Sequence, residues 1–151
     1  MKKILLLAAL SFISTSSLAK GPDGLITIKS QNSVKQTIDK LEKVLKSKGI
    51  SIVTRWSHDQ KANSVGIRLR PTELLLFGNP KLGSHFFTSQ QTSGIDLPLK
   101  ALAWQDQKGQ VWLSYNDPQY VAHRHDIKDR AKIVAKMTRA LKKFTTIATA
   151  K

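Results

Sequence analysis

Leu74-Leu75-Leu76-Phe77-Gly78-Asn79-Pro80 is the stretch from which the fold of this chain can be read outward. Glu73 to Phe77 is a nearly continuous apolar run, typical of a buried strand, and Gly78 stops it. Asn79 and Pro80 then open a short helix. The Asn side chain can accept from orphan backbone NH groups, and Pro suits the first helical position, where no NH is needed.

Toward the N-terminus, Val65-Gly66-Ile67-Arg68-Leu69-Arg70 alternates apolar and basic residues until Pro71 interrupts it. A polar link, Ser57 to Ser64, separates it from Ile50 to Trp56, which reads as a strand. Before that, Ser33 and Gln36 stand in capping-box spacing, and Val34, Ile38, Leu41 and Leu45 recur at helical spacing as far as Gly49. The outer face of this helix places Asp39 four residues before Lys43 and Glu42 four before Lys46, the orientation of weak helical ion pairs. Leu25 to Lys29 alternates and forms the first strand.

Toward the C-terminus, Leu97 to Gln105 and Gln110 to Tyr115 flank Asp106-Gln107-Lys108-Gly109, a hairpin closed by a left-handed Gly109. A three-residue loop would set Trp104 opposite Trp112, and a two-residue loop would set it opposite Val111. Asp117-Pro118 repeats the device of Asn79-Pro80 and launches a turn through Ala122. A long helix is expected from about 126 to 148. Val134, Met137, Leu141, Phe144 and Ala148 form its apolar stripe, with Asp126 and Asp129 at the start and Lys142 and Lys143 near the end complementing the macrodipole. The order of elements predicts a single α+β domain, an antiparallel twisted sheet with long helices packed on one face.

Several of these landmarks, taken with their spacing, resemble the bacterial domain-of-unknown-function 302 family. They are the Ser33-Val34 helix entry, the His58 to Gly66 link, Leu69-Arg70-Pro71-Thr72, Phe77-Gly78-Asn79-Pro80, Asp96-Leu97-Pro98-Leu99-Lys100 and Tyr115 to Pro118. The resemblance runs from about Ile26 to His125. It implies a compact α+β domain of the TATA-binding-protein-like topology class and brings no agreed reaction or ligand. That class name describes topology and carries no DNA binding with it.

The first residues define a compartment. Lys2 and Lys3 precede an apolar run from Ile4 to Ile13 and then Ser17-Leu18-Ala19, the layout of a secretory signal peptide cleaved after Ala19. The run is shorter than the roughly 20 apolar residues that cross a bilayer. Removing 19 of 151 residues leaves a mature chain of 132, one domain's worth. There is no cysteine anywhere, which excludes disulfides, thiol chemistry and a lipoprotein anchor. The expectation is a periplasmic protein that is not transmembrane.

Of the 25 basic residues, 23 remain once Lys2 and Lys3 are removed; against 10 acidic residues that is a net charge of +13. On an exported chain this charge points to anionic lipid, lipopolysaccharide, acidic glycans or acidic proteins rather than nucleic acid, or serves solubility alone. The densest cluster is Lys128, Arg130, Lys132, Lys136, Arg139, Lys142 and Lys143.

Among candidate sites, Asn79 with Lys81 beside it could offer free backbone NH groups to a phosphate or carboxylate, although capping explains the same residues. His58, His85, His123 and His125 are the only imidazoles, and no metal site is assigned to them. His58 lies in the part that resembles the family, near Arg68 and Arg70, with Asp96 and Asp117 as carboxylates that could orient it. No phosphate loop, nucleophile elbow or nucleotide fingerprint is present, so the reading leans away from an enzyme, and no cofactor is expected.

Three functions are expected in turn. The first is non-catalytic binding of a small or anionic ligand in a groove between sheet and helices, with His58, Arg68, Arg70, Asn79, Lys81, Trp104 and Tyr115 as the residues to watch. The second is a hydrolase or redox-accessory enzyme centred on His58. The third is an interaction protein that docks on anionic envelope surfaces through its basic C-terminal helix. Oligomeric state is not legible.

Overall fold

The computed structural model describes residues 18–20 and 23–151, with side chains from residue 23 onward. The expected leader up to Ser17 lies outside the described residues. Strand β1 (Leu18–Lys20) is followed by β2 (Leu25–Ser30), helix α1 (Val34–Ser47), β3 (Ser51–Ser57) and α2 (His58–Asn63). Then come β4 (Thr72–Gly78), α3 (Pro80–Ser89), a 3-10 turn (Gln91–Ile95), β5 (Leu99–Gln105), β6 (Val111–Asn116), α4 (Pro118–Arg124) and α5 (Ala131–Thr149). The six strands form one antiparallel sheet in the order β1-β2-β6-β5-β4-β3. The expected cleavage point after Ala19 falls inside β1, whose partner is β2.

The fold is the expected α+β arrangement. Helix α1 packs on β3, β4, β5 and β6, α5 packs on β2, and the two helices pack on each other. Strand alternation sends Ile26, Ile28, Leu75, Phe77, Ala103, Leu113 and Tyr115 to that side, where Ile38, Leu41, Leu45, Leu141 and Phe144 meet them. Full burial of each large apolar side chain contributes about 1.5–3 kcal/mol, so this layer dominates stability. A smaller cluster of Phe86, Leu97, Val121, Ile127, Val134 and Met137 ties α3 and α4 to α5.

Local chemistry sets the element ends. Ser33 and Gln36 form a complete capping box at α1, and Gly49 turns the chain out of it with φ +66°. The hairpin takes the register that pairs Trp104 with Trp112, with ring centroids 6.3 Å apart, and Gly109 closes it at φ +80°.

Three expectations are corrected. The link after Ser57 contains a short helix, because the Ser57 hydroxyl caps it by accepting from the Gln60 NH. Val65 to Arg70 does not join the sheet: every residue there is exposed, and the strand begins only after Pro71, at Thr72. The last helix begins at Ala131 rather than near Asp126. Asp126 adopts φ +53° in the preceding loop and pairs with Lys128, Asp129 pairs with Arg130, and no acid occupies the first turn.

Candidate functional site

A cavity of about 280 Å³ opens where the β4 end of the sheet hands over to α3. Phe77, Gly78, Asn79 and Pro80 line it where β4 runs into α3, Leu82, Gly83, Ser84 and Phe87 line it from α3, and Met137, Ala140, Leu141 and Phe144 from α5. Ile50, Ser51 and Val53 at the start of β3, with Leu97, Pro98 and Leu99, complete it. The walls carry no charged residue, and their only polar side chains are Ser51, Asn79 and Ser84. Val53 is 57 % exposed and Phe87 38 % exposed, so apolar side chains reach solvent where the cavity opens.

The space has a local cause. Helix α3 carries Gly83 and Ser84 where larger side chains would fill it, and of its ten residues only Phe86 is buried. A Cβ built on Gly83 would touch nothing closer than Phe87, at 3.9 Å.

Asn79 caps α3 as expected: its Oδ1 accepts from the Lys81 NH at 2.9 Å. The NH groups of Leu82 and Gly83 donate to the Asn79 carbonyl, both at 2.9 Å. The first-turn NH groups expected to await an anion are therefore already engaged. The group left for an anion at this end is the Lys81 ammonium.

The other candidate residues do not gather around this cavity. His58 is the exposed first residue of α2, and its ring makes no hydrogen bond among the described residues. Arg68 is exposed, and Arg70 donates from Nε to the Gln105 carbonyl at 3.0 Å. Trp104 and Tyr115 lie on opposite faces of the sheet. The Trp104 indole NH donates to Ser114 Oγ at 2.9 Å, while Tyr115 is buried among the helix-facing residues, and burial pushes its hydroxyl pKa up.

Two side-chain networks were not legible in the sequence. His125 Nε2 lies 2.6 Å from Asp96 Oδ2, His125 Nδ1 lies 3.2 Å from Thr92 Oγ1, and Arg124 reaches Asp96 Oδ1 at 3.2 Å. Asp96 thus partners His125, from 29 residues away, instead of His58. The histidine side chain is only 7 % exposed, and neither it nor Thr92 lines the cavity. Among the described residues, no three His, Cys, Asp or Glu side chains converge as metal ligands.

The second network centres on Arg55, which binds Glu73 at 2.7 Å, Asp39 at 2.8 Å and Glu42 at 3.1 Å. Glu73 is the main reason the guanidinium is held even more firmly charged than usual. Asp39 pairs with Lys35 and Arg55, each at 2.8 Å, and not with Lys43, and these two, Lys35 first, draw its carboxyl below the ordinary carboxylate range. The Glu42–Lys46 pair forms as expected, at 2.6 Å.

Similarity to known proteins places this architecture. Residues 26–144 match the family described as "Domain of unknown function DUF302". The chain is similar to fluoride-specific ion channel FluC 1 of Brucella suis biovar 1 (strain 1330), at 44% identity over 104 residues that cover 69% of this chain and 41% of that protein. A FluC 2 channel of Brucella melitensis biotype 1 (strain ATCC 23456 / CCUG 17765 / NCTC 10094 / 16M) matches at the same identity over 69% of this chain and 38% of its own length. The chain thus spans about two fifths of the curated relatives it matches. An uncharacterized conserved DUF302 protein from Bacillus stearothermophilus, known from its crystal structure, superposes with TM-score 0.75 at 20% identity, covering 83% of this chain and 98% of that one.

Proposed function

The chain belongs to the DUF302 family, and from that premise we propose that it is an exported, non-catalytic binding domain whose ligand enters the cavity between α3, α5 and the β3–β4 end of the sheet. The observation that carries this reading is the cavity itself. Apolar pockets with few polar groups are the usual form of a small-molecule site, and 280 Å³ is near the lower end of their range. Most of its lining side chains stand on strands and helices.

The alternative centred on His58 draws little support. Among the described residues that imidazole has no orienting carboxylate. General-base work requires one group to hold the ring and a reacting proton within hydrogen-bond reach. The Asp96–His125–Thr92 chain has better geometry, but its histidine and threonine do not line the cavity.

A second reading, docking on anionic lipid or lipopolysaccharide, is supported by α5. Its Lys132, Lys136, Arg139, Lys142 and Lys143 are all exposed, and none has an ion-pair partner among the described residues. Co-sedimentation with anionic vesicles that did not weaken in salt would remove this reading. Relation to a polypeptide named as a channel suits work at an envelope. Among the described residues, no helix is long and apolar enough to cross a membrane.

Native mass spectrometry of the protein purified from its own cells tests export and binding together. The expected chain mass lacks residues 1–19, with a small-molecule mass retained on part of the population. A chain that keeps Met1 sinks the export reading. An empty protein that also fails to bind an apolar fluorescent probe sinks the binding reading.

A further inference from the structure

The cavity walls refuse charge, while the helices that form its mouth carry uncompensated positive charge. Neither α3 nor α5 contains a single acidic residue. Ala140 is the partly buried member of the α5 wall and marks the side of that helix on which the cavity opens. Lys136 and Lys143 stand four residues before and three after it, one turn away on the same side. On the opposite wall, Lys81 follows the exposed Pro80 and stands three residues before the wall residue Ser84. Three exposed lysines therefore stand one helical turn from wall residues of the same cavity, on two helices.

These lysines have no internal partner. Lys81, Lys136 and Lys143 are exposed and form no ion pair among the described residues. Most of the chain's carboxylates are engaged elsewhere: Asp39, Glu42 and Glu73 on Arg55, Asp126 on Lys128 and Asp129 on Arg130. Asp96, the acid nearest in sequence to a wall residue, is held by His125 and Arg124.

We propose that the cavity takes an anionic amphiphile, with a single apolar tail lodged between α3 and α5 and a carboxylate or phosphate head held at the mouth by Lys81, Lys136 and Lys143. This rests on the cavity being a ligand site. A wholly polar anion would lose its hydration against walls that return almost no hydrogen bonds. A wholly apolar ligand would leave the cationic mouth unused. The first-turn NH groups of α3 are already satisfied by Asn79, so the head is met by mobile ammonium groups rather than by a fixed backbone cradle. At about 30 Å³ per water-sized group, the space suits a medium-length chain rather than a two-tailed lipid.

The test is titration calorimetry of the full chain with decanoate, decyl phosphate, 1-decanol and decyltrimethylammonium, each below its micelle-forming concentration. Decanoate or decyl phosphate should bind at least tenfold more tightly than decanol, and the cationic probe most weakly. The order of the two anions separates a free fatty acid from a phosphate-headed lipid as the source. The triple change Lys81→Gln, Lys136→Gln and Lys143→Gln, all at exposed positions, should bring the anions down to the level of decanol and leave decanol unchanged. Ala140→Phe should weaken all four probes by filling the tail site. Equal affinity for decanoate and decanol overturns the anionic head while leaving the cavity reading intact. Binding of none of the four overturns the cavity reading itself.

Discussion

Asn79-Pro80 and Asp117-Pro118 spell the same helix start, and the two helices they launch end in opposite conditions. At α4, Asp117 is 3 % exposed, its Oδ1 accepts from the Gln119 NH at 2.9 Å, and Pro118, Val121 and Ala122 are buried. Its backbone NH reaches across to the Gly24 carbonyl at 2.9 Å. At α3, Pro80, Lys81 and Ser84 stay exposed, and one wall of the helix faces empty space. A cap fixes where a helix begins. The next few side chains decide whether the helix closes the core, as Val121-Ala122 does, or leaves a cavity, as Leu82-Gly83-Ser84 does.

This contrast is most exposed to failure at its tight end. Gly24 sits at φ +76°, and a Cβ there would overlap Cγ of Tyr120 on α4. Gly24→Ala should therefore cost about 3 kcal/mol or more in urea unfolding, combining left-handed strain with a clash that only backbone movement relieves. A loss below about 1 kcal/mol, the size of an ordinary substitution, would mean that α4 is as loosely seated as α3.

The caps themselves should separate by a smaller margin. Asp117→Ala removes a buried cap and should cost about 2 kcal/mol, whereas Asn79→Ala removes a partly exposed one and should cost about 1 kcal/mol. Equal losses in paired denaturation curves would show that burial of the cap adds nothing at α4.

The smallest effect has the opposite sign. Gly83 is in a helix interior, and its added Cβ meets only ordinary contacts, so Gly83→Ala should stabilise by roughly 0.5–1 kcal/mol. Destabilisation would reveal a close approach that the open wall of α3 does not contain.

Much of the molecule was legible because it is written in local patterns. The Ser33–Gln36 box, the Ile38-Leu41-Leu45 stripe, the Leu75 and Phe77 strand and the Trp104–Trp112 hairpin all stem from periodicity and turn chemistry within a few residues. Local pattern misleads where it meets tertiary competition. Val65 to Arg70 alternates like a strand, but the sheet pairs β3 directly with β4 and offers that segment no partner. Asp126 and Asp129 look like helix-start acids, yet α5 begins only at Ala131, and they pair with Lys128 and Arg130 in the loop before it.

The candidate site was less legible. Asn79 was visible as a cap, and it does line the cavity. Leu82, Phe87, Met137 and Ala140 look in the sequence like any other apolar face, and no signal marks the space between them. Asp96 and His125 were each visible, but their contact was not.

The α+β class, the family, the cysteine-free core and the excess of positive charge could all be read along the chain, because composition and short-range periodicity act residue by residue. It took the packed molecule to show that a cavity lies between α3 and α5, lined by Gly83 and Ala140, and that Asp96 meets His125. Both depend on how elements distant in sequence dock, and docking is set by the summed shape of many side chains rather than by any one stretch.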